Sequence, residues 1–437
     1  MLCKNNIKKS LYINIYITKM AQKICLNMIV KNESAIIGDT LKNLITKIKI
    51  DYYVISDTGS TDNTVEIITN FFKDNNIEGE IYHDEWRNFE YNRTKALDYA
   101  FGKTDYLLIF DADDEICGNL VLPTELTFDS YFLIMKGGDI TWYRPLLINN
   151  KKKWKFECVV HEYLECCEPN FTKTNLSGDY YVAGNTKGAR SQNPNKYLID
   201  AITLEKAFLE VENTPKKYLL SRYAFYCANS YANHGDAERC IEWYLKTLTL
   251  GGWDQEKYES CLKLSQAYLK LEEKETSLYY LIKSYNYDKE RVEGIYEVIR
   301  HYIVESEYEI AYQYYLFIKD NYEQTYENFN SATKLFLNIN INNFYLPYYM
   351  IILSERLKKY DLGILMYTII FKMKQQKIAE WWIKNLLFNL RFFIDKTNNP
   401  DFFNLLKDYL KFIIMSGINI KNYEFDYLKI SKKIKPS

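Results

Sequence analysis

Between Lys23 and Asn149, short runs of aliphatic, β-branched and aromatic residues alternate with segments whose apolar positions recur every three or four residues. A continuous apolar run reads as a strand buried on both faces, and the three-four spacing as one side of a helix lying on a sheet. The pattern predicts strands at Lys23–Val30, Tyr52–Asp57, Glu80–Glu85 and Tyr106–Phe110. Helices lie between them, one carrying Leu41, Leu44, Ile45 and Ile48, another Val65, Ile68 and Phe72. Strands in alternation with helices imply βαβ units and a mostly parallel sheet. The aromatic-rich stretch from Ser130 to Ile148 is predicted to add further strands. Ligands of such sheets bind in the crevice at the carboxyl ends of the strands, so the residues that follow each strand are the ones to inspect.

After about Asn195 the pattern changes to long amphipathic helices with few glycines. Tyr231, Tyr268 and Tyr302 each close a helical segment before a short turn (Asn233 to Asp236, Leu271 to Lys274, Glu305 to Glu307), at intervals of 37 and 34 residues. That interval resembles the roughly 34-residue period of tetratricopeptide repeats. An irregular helical bundle is the alternative, and beyond Tyr326 no period is legible. The resulting organisation is an extension at 1–20, a sheet domain at 21–192 and an α-helical repeat domain at 193–437, clearest over 218–320.

Composition narrows the chemistry. The 437 residues suit two domains, and 56 basic against 57 acidic side chains leave no global field that would draw the chain to nucleic acid. Nine cysteines without a CxxC pair fit reduced thiols and a cytoplasmic setting. No run approaches the roughly 18 apolar residues of a membrane span. The apolar run Leu11 to Ile17 lacks a small-residue cleavage site, so Met20 is an alternative start to Met1. The 41 tyrosines, with abundant Asn, Lys and Ile, resemble proteins of AT-rich genomes, some large DNA viruses among them.

Three strand exits carry candidate chemistry. The first, Val30-Lys31-Asn32-Glu33, offers backbone groups and two polar side chains, although Asn and Glu also cap helices. In the second, Asp57-Thr58-Gly59-Ser60-Thr61-Asp62, capping accounts for Ser60 and Asp62 and leaves Asp57 without a structural partner, suited to a nucleoside's imide or ribose hydroxyls. The third, Asp111-Ala112-Asp113-Asp114-Glu115, sets four carboxylates after an apolar strand, which is unfavourable unless a cation or a solvent cleft absorbs the charge. If the strand continues, Asp111 and Asp113 share a face about 6.8 Å apart. Such hard ligands suit Mg²⁺ or Mn²⁺ carrying a diphosphate.

These three motifs in order resemble family 2 glycosyltransferases of the GT-A fold over about residues 23–165. The resemblance implies a Rossmann-like α/β domain in which Asp57, Ser60 and the segment Val30 to Glu33 hold a nucleotide, usually uridine. It also implies that Asp111 and Asp113 form the DXD motif, with Asp113 binding the metal directly. The segment Asn88 to Leu97 resembles the family's donor-facing helix, with Arg93 and Lys95 placed to neutralise the diphosphate and Thr94 where an Asn is usual. Lys95 on a solvated helix face is the alternative. The segment Trp154 to Leu164 resembles the His-Glu element of family members with tetratricopeptide-like tails, a group similar to bacteriocin glycosyltransferases. His161 is then a further metal ligand and Glu162 the general base, with Asp114 the alternative base. A surface His-Glu pair is the plain structural reading.

The expected activity is metal-dependent, inverting transfer of one sugar from a nucleoside diphosphate donor, UDP-linked by the resemblance, to a protein, peptide or glycan acceptor; the helical repeats either grip that acceptor or only stabilise the catalytic domain or mediate dimerisation. The Gln-x-x-Arg-Trp motif and membrane helices of processive members are not found. Two alternatives stand beside this reading. A nucleotidyltransferase would need a Gly-rich basic loop where Lys31-Asn32-Glu33-Ser34 stands, and an inactive transferase on a repeat scaffold is opposed by the intact Asp57, Arg93, Asp111 and Asp113.

Overall fold

The computed structural model describes residues 21–138, 140–184, 187–330, 333–375 and 377–418, except the side chain of residue 140. The expectations for residues 1–20 lie outside them. By compactness the chain divides into two units, one of residues 21–137, 143–157 and 162–192, the other chiefly 158–161 and 193–418.

The first unit is built on β1 (Ile24–Val30), β2 (Tyr52–Asp57), β3 (Glu78–His83) and β4 (Tyr106–Ile109), joined by α1 (Ile37–Lys47), α2 (Thr64–Asp74) and α3 (Phe89–Ala100). Further strands are β5 (Asp114–Gly118), β6 (Ser130–Gly137), β7 (Ile140–Asn149), β10 (Lys173–Asn175) and β11 (Tyr180–Gly184), with β8 (Trp154–Glu157) and β9 (Tyr163–Cys166) in a separate antiparallel pair. The main sheet runs β3-β2-β1-β4-β7-β6-β11-β5, with β10 on β6. Its first four strands are parallel, and β7 joins β4 antiparallel. The mostly parallel sheet predicted from the alternation is therefore present.

The period of two along each strand sorts side chains onto two faces. Ile24, Leu26, Met28 and Val30 join Ile37, Leu41, Ile68 and Phe72 in one core. Cys25, Val54, Leu107 and Ile109 face Leu97 and Ala100 of α3 in another. One boundary differs from the expectation in a way that matters. The fourth strand stops at Ile109, and a turn closed by the Asp114 N–H on the Asp111 carbonyl (3.2 Å) leads directly into β5. Asp111 and Asp113 thus sit in a turn, and the same-face spacing expected of a continuing strand does not apply.

The second unit contains α4 (Lys196–Val211), α5 (Leu220–His234), α6 (Ala237–Thr249), α7 (Asp254–Lys270), α8 (Lys274–Ser284), α9 (Glu293–Val304) and α10 (Tyr308–Thr325). After a long connection come α11 (Leu346–Arg356), α12 (Tyr360–Met373), α13 (Glu380–Asn389) and α14 (Pro400–Met415). Left-handed residues punctuate the first helix pairs at Gly235 (φ 96°), Glu272 (φ 64°) and Ser306 (φ 62°), the same 37- and 34-residue steps as the tyrosines. Polar links recur at a similar offset: Glu205 to Arg239, Arg222 to Glu256, Gln255 to Asp288 and Tyr258 to Glu293. No helix among the described residues is long and apolar enough to cross a membrane.

Candidate active site

The tips of β1 and β2 are level, Val30 pairing with Asp57, so their two loops emerge side by side. The loops are stitched together by hydrogen bonds. Ser60 Oγ accepts from the Asn32 N–H (2.9 Å), Asn32 Oδ1 from the Thr61 N–H (2.7 Å) and Thr64 Oγ1 from the Glu33 N–H (2.8 Å). The Val30 carbonyl accepts from the Thr58 N–H and hydroxyl. Asn32 takes a left-handed conformation (φ 57°) that Asn tolerates better than most residues. Asp62 caps the entry to α2, accepting from the Thr64 and Ser34 N–H groups. Desolvation pushes its carboxyl up, but the hydrogen bonds from Thr64 and Ser34 outweigh this and hold it at about 2.

Asp57 is buried and does have structural partners, contrary to expectation. Its carboxylate accepts from the Ser60 N–H (3.1 Å) and lies 3.3 Å from His83 Nδ1. Sequence reasoning overlooked His83, whose position at the end of β3, level with Asp57, was the available signal.

The acidic turn meets α3 and β7. Asn88 caps α3, its side chain accepting from the Tyr91 N–H (2.8 Å), and Arg93 follows in the next turn. Arg93 Nη2 donates to Asp111 Oδ1 (2.6 Å), and its Nε lies 2.7 Å from Glu162 Oε1. Arg144 of β7 donates from Nη1 to Asp111 Oδ2 (2.9 Å). Two guanidiniums therefore hold one carboxylate. Burial pushes the Asp111 carboxyl up, but Arg93 and Arg144 together drive it well below the usual range. Asp114, at the start of β5, is buried with no hydrogen-bond partner on Oδ2. Desolvation and the charges of Asp111 and Asp113 push its carboxyl well up.

Glu33 and Asp113 approach the same point, since a Cβ at Gly188 would stand 2.9 Å from Asp113 Oδ2 and 3.4 Å from Glu33 Oε1. The Glu33 carboxylate accepts from the Ala189 N–H. Desolvation raises its carboxyl to about 7; the Ala189 hydrogen bond opposes the rise, and Asp113 and Asp62 add to it. The Arg190 guanidinium lies over the Phe89 ring (4.8 Å).

The structure thus brings Arg93, Asp111 and Glu162 together, sets Glu33 near Asp113, and joins Val30, Asn32, Asp57 and Ser60 at the strand tips. It does not extend this to every expected residue. Lys95 pairs with Asp84, which also accepts from Ser56 Oγ (2.7 Å) and the Tyr99 hydroxyl (3.0 Å), so its charge is already matched. Both Asp111 oxygens are taken by guanidiniums, which argues against a direct metal contact there. The His161 ring stacks on Tyr226 (4.2 Å), its carbonyl accepts from Arg222 Nη2 (2.9 Å), and the residue groups with the helical unit. Among the described residues no set of three or more His, Cys, Asp or Glu is placed to hold a metal by itself. Arg144 also escaped sequence reasoning, although a lone Arg in the apolar run from Trp142 to Ile148 was a signal.

Residues 25–124 match the family model described as glycosyl transferase family 2. No curated protein matches the chain. Among solved structures the chain is similar to S. aureus TarS 1–349 in complex with UDP-GlcNAc, at 14% identity and TM-score 0.33, over 60% of this chain and 91% of that one. It is likewise similar to the mannosyltransferase PcManGT from Pyrobaculum calidifontis in complex with GDP-Man and Mn2+, at 11% identity and TM-score 0.31, over 61% and 88%. Likenesses this distant carry no weight for donor, metal or acceptor.

Proposed function

From the premise that residues 25–124 are a family 2 glycosyl transferase domain, we propose that the chain moves a single sugar from a nucleoside diphosphate donor to a protein, peptide or glycan acceptor, inverting the anomeric centre. The observation that carries this reading is the convergence of Arg93, Arg144, Asp111 and Glu162 from separate elements at the acidic turn that follows β4.

The stitched loops after β1 and β2 are rigid, and at their base Asp57, with the Val30 to Glu33 segment alongside, would meet a nucleoside. Glu162, ion-paired with Arg93, would take the acceptor proton as the acceptor oxygen attacks the anomeric carbon and the bond to the diphosphate breaks. Asp114, buried and favouring its protonated form, is the weaker candidate for base. The residues present fit a divalent cation, because Mg²⁺ and Mn²⁺ take one or two protein carboxylates and fill the shell with phosphate oxygens and water. Asp113 would hold it, with Glu33 nearby. When bound, the cation supplies positive charge against the departing diphosphate. The helical unit, with polar links near a 34-residue offset, suits a repeat surface that grips the acceptor.

The test is a turnover screen over a panel of nucleotide sugars with Mn²⁺, comparing the parent with Asp113→Asn. One or two donors are expected to react in the parent, with a loss of roughly a hundredfold or more in the variant, as for removal of a main electrostatic contact. Equal turnover in both would refute the assignment of Asp113.

A further inference from the structure

The donor brings a diphosphate into a cluster that already holds Asp111, Asp113, Asp114, Glu33 and Glu162. A guanidinium is the side chain best shaped to receive it, offering a planar fork of N–H donors to phosphate oxygens. Three are near: Arg190 lies over the Phe89 ring on an exposed segment, while Arg93 and Arg144 both pair with Asp111 inside the cluster. Arg93 is committed: Nη2 donates to Asp111, Nε lies 2.7 Å from Glu162 as an ion pair without hydrogen-bond geometry, the Phe89 and Phe156 rings are each 5.6 Å from its Cζ, and only 9% of its side chain is exposed. Turning it toward a phosphate would release two carboxylates from their shared cation. Arg144 reaches the same carboxylate from the other side through Nη1, and its side chain is 28% exposed. The pair to Asp111 fixes where this guanidinium stands. The charges then run in alternation, Arg144, Asp111, Arg93, Glu162, with the more exposed cation at one end and the base at the other.

We infer that Arg144 is the guanidinium that binds the donor's diphosphate, with Asp111 bracketing it, while Arg93 serves to position Asp111 and Glu162. This rests on the transferase reading above and replaces the role expected of Arg93. Arg144 touches the leaving group; Arg93 acts through its neighbours.

The experiment uses the full chain with Mn²⁺, titrating UDP by calorimetry and the weaker-binding uridine by ligand-observed NMR, for the parent, Arg144→Gln and Arg144→Lys. If the parent takes GDP instead, GDP and guanosine are the probes. Arg144→Gln should weaken diphosphate binding by roughly tenfold or more, the loss expected for one charge-assisted contact, and leave nucleoside binding unchanged. Arg144→Lys should recover part of the loss, since it keeps the charge without the fork. Equal diphosphate binding in parent and Arg144→Gln would overturn the inference alone, as would a parallel loss of diphosphate and nucleoside, which marks a general disturbance of the pocket. A parent that binds neither UDP nor GDP would sink the transferase reading and this inference with it.

Discussion

A carboxylate can serve as general base only if something fixes it without taking its lone pairs out of reach. Glu162 lies 2.7 Å from the Arg93 Nε as an ion pair without hydrogen-bond geometry, and Arg93 is itself pinned by Asp111, so charge attraction keeps the carboxylate at this spot while its lone pairs stay within reach. Replacing it with Gln keeps the shape and removes the proton acceptor. Glu162→Gln should therefore lower kcat by roughly two to four powers of ten, the usual weight of a general base, while the nucleotide's dissociation constant stays within a few-fold of the parent. A variant that loses nucleotide binding in proportion would mark Glu162 as a structural counter-ion of Arg93. The residue scale also shows where sequence reasoning stops. Asp57, Asp111 and Asp113 were legible because carboxylates after apolar strands need an explanation. Their partners were not: the Arg144 to Asp111 pair joins positions 33 residues apart through a strand pairing that no local pattern encodes.

At the scale of elements, β1, β2 and β4 were readable because burial on both faces leaves each a largely apolar run, and their expected ends fall within a residue of the observed ones, while the edge strand β3, only partly buried, begins and ends two residues earlier than its pattern suggested. The short strands β5, β10 and β11 have no such signature. In the helical unit the period was visible up to α10 and then vanished. The cause is the long connection from Tyr326 to α11, after which the α11–α12 turn resumes with another left-handed residue, Lys358 (φ 57°). Only Gly235 among these turns is a glycine; Glu272 and Ser306 carry side chains in a conformation that costs an L-residue roughly 1 kcal/mol or more. Glu272→Gly should therefore stabilise the protein by roughly 0.5 to 1 kcal/mol after the extra chain entropy of glycine is set against it. Gly235→Ala should destabilise it by a similar amount, and midpoints in urea read both. If neither midpoint moves, backbone strain is not what these turns store.

For the whole molecule, the titration of buried acids sets how stability varies with pH. In the helical unit Arg291 is fully buried among Glu259, Glu293 and Gln255, a network with more carboxylates than cations. Desolvation raises the Glu259 carboxyl to about 7 even though the Arg291 charge pulls the other way. Glu33 in the sheet unit also stands at about 7, again chiefly through desolvation, and Asp114 is pushed up as well. A carboxyl raised in the fold binds more protons there than in the unfolded chain, so its contribution is complete below the ordinary value and is lost as pH rises through the folded one. For Glu33 and Glu259 that window runs from about 4.5 to about 7. The opposite group, with Asp62 and Glu80 each held at about 2, contributes fully above the ordinary carboxyl range and loses this only in strong acid; Glu80 is lowered first by the hydrogen bond from Lys103. The two sets together place the thermal optimum on the acid side of neutrality, near pH 5, with Tm falling toward pH 8. Glu259→Gln keeps an acceptor for Arg291 and cannot ionise, so it should flatten that fall. The difference in Tm between variant and parent should shift in the variant's favour from pH 5 to pH 8, as measured by calorimetry in buffers of matched ionic strength. A pH-independent difference would mean that Glu259 keeps the same charge throughout, and that Arg291 overcomes the desolvation that burial imposes.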